Sequence, residues 1–117
     1  MTKKWENQSL QEITTSVEEA FNQNSGPIAG ATVIYQFDIT GEEEGTFQLH
    51  LDNGTAKVVQ DTNSPAACTL KMSFESFKKF LAGSLSGTMA FMTGKLKVDG
   101  DLGKALKLES ILKQYDF

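Results

Sequence analysis

The sequence predicts an α+β fold: a five-stranded mixed, mainly antiparallel sheet covered on one face by helices. Three observations predict it. Residues 31–72 alternate apolar and polar side chains at the period of a half-buried strand, broken by turn residues. Amphipathic helical stretches open and close the chain, near residues 9–22 and 102–112. Between them, residues 74–94 hold two short helices rich in Phe and Met, which a sheet face of this size can bury. The 117 residues make one domain, long enough to form a core without disulfides or a structural metal.

The first helix runs from about Ser9 to Asn22, with Ser9 and Glu12 spaced as a capping box. Leu10, Ile13, Val17, Ala20 and Phe21 form its apolar stripe, and Gln11, Glu12, Ser16, Glu18 and Glu19 face water. Asn24-Ser25-Gly26-Pro27 stops it. The first strand carries Ala31, Val33, Tyr35, Phe37 and Ile39 on one face. Thr40 to Gly45 turn it into a second, with Phe47, Leu49 and Leu51 inward and Gln48 and His50 outward. Asp52-Asn53-Gly54 is a hairpin signal, because Asn-Gly tolerates the positive φ of a tight turn. Ala56 and Val58 continue the core face on a third strand, residues 61–65 break it, and a fourth strand turns Cys68, Leu70 and Met72 inward. The order of the third and fourth strands in the sheet stays open. Ser73 caps a helix from Phe74 to Ala82 that Gly83 closes. A short helix over Met89 to Met92 ends at Gly94 and is apolar almost all round, so it is expected to be covered. Leu96 and Val98 belong to a fifth strand, and Asp101 caps the last helix.

Composition removes several functional classes. With a net charge of −4, a pI near 4.9 and no Arg, the chain lacks the clustered cations of a sequence-independent nucleic-acid binder. One Cys and one His exclude an intramolecular disulfide, a multi-Cys zinc site and a His cluster. The N-terminus, Met1-Thr2-Lys3-Lys4-Trp5-Glu6, is not followed by the apolar run of a secretory signal, and no stretch is apolar enough to span a bilayer. A reducing, cytoplasmic setting is the expectation.

No catalytic constellation emerges. His50 lies between core-facing leucines and points to the opposite sheet face, where it reads as a solvent-facing residue rather than a base. Cys68 is in phase with Leu70 and Met72 and reads as a buried apolar side chain rather than a reactive thiolate. Asp99 reads as an outward strand residue, Asp101 as a cap, and Glu42-Glu43-Glu44 as a solvated hairpin tip. Gly100-Asp101-Leu102-Gly103 lacks the spacing and ending of a phosphate loop. What stands out is the surplus of Phe and Met between Met72 and Met92, joined by glycines. Unbranched Met adapts to ligands of variable shape, and Gly joints let a short helix move aside, so a cavity for a hydrophobic ligand is the leading reading.

The run from Phe74 through Leu112 resembles the sterol carrier protein-2 lipid-binding domain family. The matching residues are the Phe-rich helix Phe77 to Leu81, the turn Leu81-Ala82-Gly83, the short apolar helix Met89 to Met92, and Gly94-Lys95-Leu96-Lys97-Val98-Asp99-Gly100-Asp101. The order of one helix then three strands in the N-terminal half is similar as well. The resemblance implies a five-stranded sheet with helices on one side and an apolar tunnel between them that takes fatty acids, fatty acyl-CoA or sterols. It implies no catalysis and no cofactor. Many eukaryotic members end in a Ser-Lys-Leu-like peroxisomal signal, whereas this chain ends Gln114-Tyr115-Asp116-Phe117, so a stand-alone prokaryotic, cytoplasmic member is expected.

On this reading Phe77, Leu81, Leu85, Met89, Met92, Leu102 and Leu106 line the cavity with Val33, Tyr35 and Phe37 from the sheet. Lys95, Lys97 or Lys104 would meet a head group or an anionic membrane during transient contact. The alternative is an interaction module, in which the helix Thr88 to Thr93 packs on another subunit or a partner enzyme and the cavity is vestigial.

Overall fold

A computed structural model describes residues 8–115. Residues 1–7 and 116–117 lie outside it, including Lys3, Lys4 and Trp5 of the N-terminal reading and Asp116-Phe117 of the C-terminal one. The element order is α1 (Leu10–Gln23), a 3-10 turn (Gly26–Ile28), β1 (Thr32–Thr40), β2 (Gly45–Asp52), β3 (Thr55–Val59), β4 (Cys68–Ser73), α2 (Phe74–Leu81), α3 (Gly87–Met92), β5 (Leu96–Gly100) and α4 (Leu102–Leu112).

The five strands form one sheet in the order β3-β2-β1-β4-β5. All neighbouring pairs are antiparallel except β1 and β4, which run parallel in the register Tyr35 to Cys68, Phe37 to Leu70 and Ile39 to Met72. The strand order left open by sequence is therefore settled: β3 and β4 are separated by β2 and β1. The β2–β3 turn has Asn53 at φ 48° and Gly54 at φ 95°, the consecutive positive angles that two-residue hairpins favour.

Inward residues of all five strands, from Tyr35 and Phe37 to Leu70 and Leu96, are buried beneath the helices in one continuous core, against which Val33, Val58 and Val98 pack half-buried. Ser9 Oγ accepts from the Glu12 amide at 3.2 Å and Glu12 Oε1 from the Ser9 amide at 2.8 Å, completing the capping box of α1. Ser73 caps α2 directly at the end of β4, and Asp101 caps α4.

Two charged positions differ from the sequence reading. Glu43 is not merely solvated: its Oε1 accepts from the Leu10 amide at 3.0 Å, so the hairpin tip helps satisfy the start of α1. Glu18 does not face water alone, because its Oε2 accepts from the Val58 amide at 2.7 Å. Asn22 bonds both the amide and the carbonyl of Ala56 at 2.8 Å. The polar side of α1 thus covers the free backbone edge of β3, which would otherwise be open to pairing with another strand.

On the sheet face opposite the helices, residues 60–67 cross from β3 back to β4. Gln48, an outward residue, is fully buried beneath this crossing. Its Nε2 donates to the Ser64 carbonyl at 2.8 Å and to Gln36 Oε1 at 3.1 Å, while its Oε1 lies 3.2 Å from His50 Nε2. A buried amide with all these partners holds the crossing to the sheet.

Candidate functional site

Between the sheet and helices α1, α2 and α4 lies a small, wholly apolar pocket. Its walls are Thr14 and Val17 of α1, Phe37, Phe47, Leu49 and Val58 of the sheet, Phe77 and Leu81 of α2, and Leu108 and Leu112 of α4. The single hydroxyl in that wall, on Thr14, donates to the Gln11 carbonyl at 3.0 Å. The space open to a water-sized sphere is ≈ 20 Å³. That is enough for roughly one such sphere, and far below the ~300 Å³ at which pockets begin to enclose drug-sized ligands.

Three aromatic rings shape this wall. Phe37 and Phe47, cross-strand partners on β1 and β2, stack at 5.1 Å with an interplanar angle of 10°. Phe77 meets both edge-on, at 5.6 Å from Phe37 and 5.9 Å from Phe47. Edge-to-face contacts hold rings through weak electrostatics and dispersion, so they can re-form at a shifted spacing.

Of the ten lining residues expected from sequence, the structure brings Phe37, Phe77 and Leu81 together at this cavity. Tyr35 is buried beside it, and its hydroxyl donates to the Lys104 carbonyl at 2.8 Å, tying β1 to α4. Val33 is half-buried, packs against the rim of the core, and borders a shallow open depression shared with His50 and Ala66. Leu85 is half-buried in the link between α2 and α3, and Leu106 is half-buried on α4 facing Gly87 of α3. Leu102, 37% exposed, Met89, 60% exposed, and Met92, 74% exposed, lie outside the wall. Thr14, Val17, Phe47, Leu49, Val58, Leu108 and Leu112 complete the wall and were absent from the sequence-derived set. Their phase marked all but Thr14 as core; which helix would cross which strand carried no local signal.

The helix α3 is not covered as its composition led us to expect. Met89, Phe91 and Met92 are exposed, and Ala90 alone of its large apolar run is buried. The reason is its placement: it packs one narrow side on β5 and α4, and six residues cannot bury a full circumference against two neighbours. Its first residue is held fast. The Gly87 amide donates to Glu109 Oε2 at 3.1 Å, and a Cβ on Gly87 would lie 2.6 Å from Glu109 Oε1. The same carboxylate is 3.6 Å from Lys113 Nζ. Gly83 at φ 76° and Gly94 at φ 80° bracket the segment, conformations that a side chain would strain.

Burial also sets the local acid–base chemistry. Desolvation, then the charges of Cys68 and Asp101, push the Tyr35 phenol up to about 12. The Cys68 thiol is pushed up to about 11, first by desolvation and then by Asp101. Both groups stay neutral at ordinary pH, which suits a thiol without nucleophilic character. His50 lies on the outward face, as expected, but is half-buried rather than solvent-facing, its Nε2 3.2 Å from Gln48 Oε1. Among the described residues no three His, Cys, Asp or Glu groups gather as metal ligands, and no helix is long and apolar enough to cross a membrane. Lys95 and Lys97 line an open groove with Lys71 at the ends of β4 and β5, away from the apolar cavity, and Lys104 is exposed on α4.

The sequence profile of the SCP-2 sterol transfer family matches residues 14–113. Hydroxysteroid dehydrogenase-like protein 2 of Xenopus laevis is 41% identical over 106 residues, a match covering 90% of this chain and 25% of that protein. The chain thus spans a quarter of the length of that curated relative. Among solved structures, the sterol carrier protein domain 2 of Helicoverpa armigera superposes with a TM-score of 0.74 at 27% identity, over 88% of this chain and 84% of that one. The Sterol Carrier Protein-2 of Aedes aegypti, solved in complex with the C16 fatty acid palmitate, shares the fold with a TM-score of 0.68 at 23% identity, over 93% of this chain and all of that one.

Proposed function

We propose that this chain, which belongs to the SCP-2 sterol transfer family, is a non-catalytic carrier that holds the apolar part of a lipid between its sheet and its helices. The observation that carries this reading is the wholly apolar pocket walled by Phe37, Phe47, Phe77 and the aliphatic residues of α1, α2 and α4. Fatty acids are the favoured ligand, fatty acyl-CoA and sterols the wider class, and the palmitate-bound Aedes aegypti protein of the same fold supports the choice.

The physics of carriage is hydrophobic transfer. Each methylene moved from water to an apolar site gains about 0.8 kcal/mol, so a long acyl chain has roughly 10 kcal/mol of gross driving force before ordering costs. No polar anchor is needed for affinity. A cavity of ≈ 20 Å³ must widen to admit such a chain, so the edge-on contacts of Phe77 and the packing of α2 and α4 on the sheet have to part. Gly83 and Gly94, both at positive φ, bracket the α3 segment between α2 and β5 and are the joints at which such a rearrangement would turn. Head-group contact, by Lys95, Lys97 or Lys104, would occur outside the apolar wall.

The exposed apolar side of α3 favours a second reading, an interaction module that packs this helix on another protein. Native mass spectrometry of the purified chain, with extraction of any bound lipid and titration with palmitate, separates the two. A stoichiometric mass increment assigned to a lipid supports the carrier. A chain that remains ligand-free with added palmitate sinks it and leaves the interaction module standing.

A further inference from the structure

We propose that two copies of this chain join through their β5 strands, so that one antiparallel sheet runs through both. The two edges of the five-stranded sheet are finished differently. Along β3, Glu18 and Asn22 of α1 accept from the amides of Val58 and Ala56 and close that edge. Along β5 nothing comparable occurs: among the described residues β4 lies on one side of it, no strand lies on the other, and no side chain bonds its backbone. Alternate N–H and C=O groups of an antiparallel strand point away from its neighbour, so part of the β5 backbone is open to another strand.

The charges of the strand name the occupant. Lys97 and Asp99 are exposed on the outward face, and Val98 between them packs half-buried against the core. Within the chain neither has an opposite charge across from it: Lys97 stands opposite Lys71, and Asp99 opposite Thr69. Like charges directly opposed destabilise a sheet. A symmetric antiparallel pairing about Val98 sets Lys97 against the partner subunit's Asp99 and Asp99 against the partner subunit's Lys97. Lys95 and Asp101, just beyond the strand ends, are opposed in the same register. A slip of one residue would turn the apolar face outward, and a slip of two would oppose the two Lys97 or the two Asp99 side chains. Charge on an edge strand ordinarily keeps other strands off; both signs at this spacing admit a second copy of the same strand.

The two-fold axis of such a pair is perpendicular to the sheet, so both helix layers lie on one side of it. The helix α3, which packs on β5 and α4, is thereby brought beside its copy. Met89, Phe91 and Met92, 60%, 42% and 74% exposed, then gain a cover. A seam of five residues alone falls short of the about 800 Å² per partner of a stable interface, and the apolar side of α3 adds to it.

This proposal does not rest on the carrier reading, and palmitate loading is read separately. The full chain is run in sedimentation velocity from micromolar to millimolar concentration, where a monomer–dimer equilibrium is expected. Lys97→Glu and Asp99→Lys each put like charges at both symmetry-related pairs and should weaken the dimer about tenfold or more. Both side chains are exposed, so thermal melts of dilute chain should hardly move. The double swap Lys97→Glu/Asp99→Lys restores opposite charges and should restore the dimer, as should mixing the two single variants. An unaltered chain that stays monomeric throughout overturns the proposal. So does a dimer that neither single swap weakens, or one that is lost in both and regained neither by the double swap nor by mixing. Palmitate loading of a strict monomer removes the dimer alone; a dimer that takes no palmitate removes the carrier reading alone.

Discussion

Replacing Phe77 by Ala tests the cavity most directly. The ring is buried, meets Phe37 and Phe47 edge-on at 5.6 and 5.9 Å, and forms part of the cavity wall. Its loss opens on the order of 100 Å³, and at ~24 cal/mol per Å³ of residual cavity this costs about 2 kcal/mol. The lost transfer of the ring adds about 2 kcal/mol, and the sum of about 4 kcal/mol falls in the range measured for buried Phe→Ala changes. Such a loss lowers the melting temperature by roughly 15 °C for a chain of this size. Because it is a large part of the total stability of a small domain, Phe77→Leu serves as a milder companion. The enlarged site then has room for an acyl chain with less rearrangement. Palmitate at a hundred times its dissociation constant should restore about 2.7 kcal/mol. Thermal melts of the unaltered chain and both variants, each with and without palmitate, read these quantities. If palmitate raises none of the three melting temperatures, this cavity is not the lipid site. If Phe77→Ala costs less than about 1 kcal/mol, the ring is not packed as described.

Three further outcomes follow from the same structure. Gln48→Ala should cost about 1–3 kcal/mol by stranding the Ser64 carbonyl and Gln36, and amide exchange should rise in residues 60–67 while that of β1 stays slow. Gly100 has φ 109°, and a Cβ there would lie 2.7 Å from the Ala67 carbonyl oxygen, so Gly100→Ala should lower the urea midpoint by an amount corresponding to about 2 kcal/mol or more. Alkaline pH should destabilise the fold. The Cys68 thiol ionises near 9.0 when unfolded and near 11 when folded, and the Tyr35 phenol near 10.0 and near 12. Stability from keeping both neutral is therefore full below about pH 9 and lost stepwise between pH 9 and pH 12. Urea titrations over that range should show the decline, shallower in Cys68→Ala; a flat profile would remove both burial effects.

The local grammar of the fold was legible in the chain. Ser9-x-x-Glu12, Ser73 and Asp101 announced three helix starts because capping is a contact between near neighbours. Asn53-Gly54 announced its hairpin because backbone sterics are local, and strict alternation marked the inward face of every strand. The motif from Gly94 to Asp101 carried the family resemblance, and the profile match over residues 14–113 agrees with it.

What only the tertiary structure decided involves residues far apart in sequence. The parallel pairing of β1 with β4 sends residues 60–67 across the sheet and buries Gln48, which alternation had assigned to the solvent face. The passage of α1 along β3 makes Glu18, which periodicity assigns to water, and Asn22, at the helix end, partners for a sheet edge. The cavity wall drew on four strand positions and three helices, so no single stretch could have specified it. The exposure of Met89 and Met92 came from how few neighbours α3 has, a quantity that composition does not contain. Periodicity says which side of an element is apolar; only packing says what, if anything, will cover it.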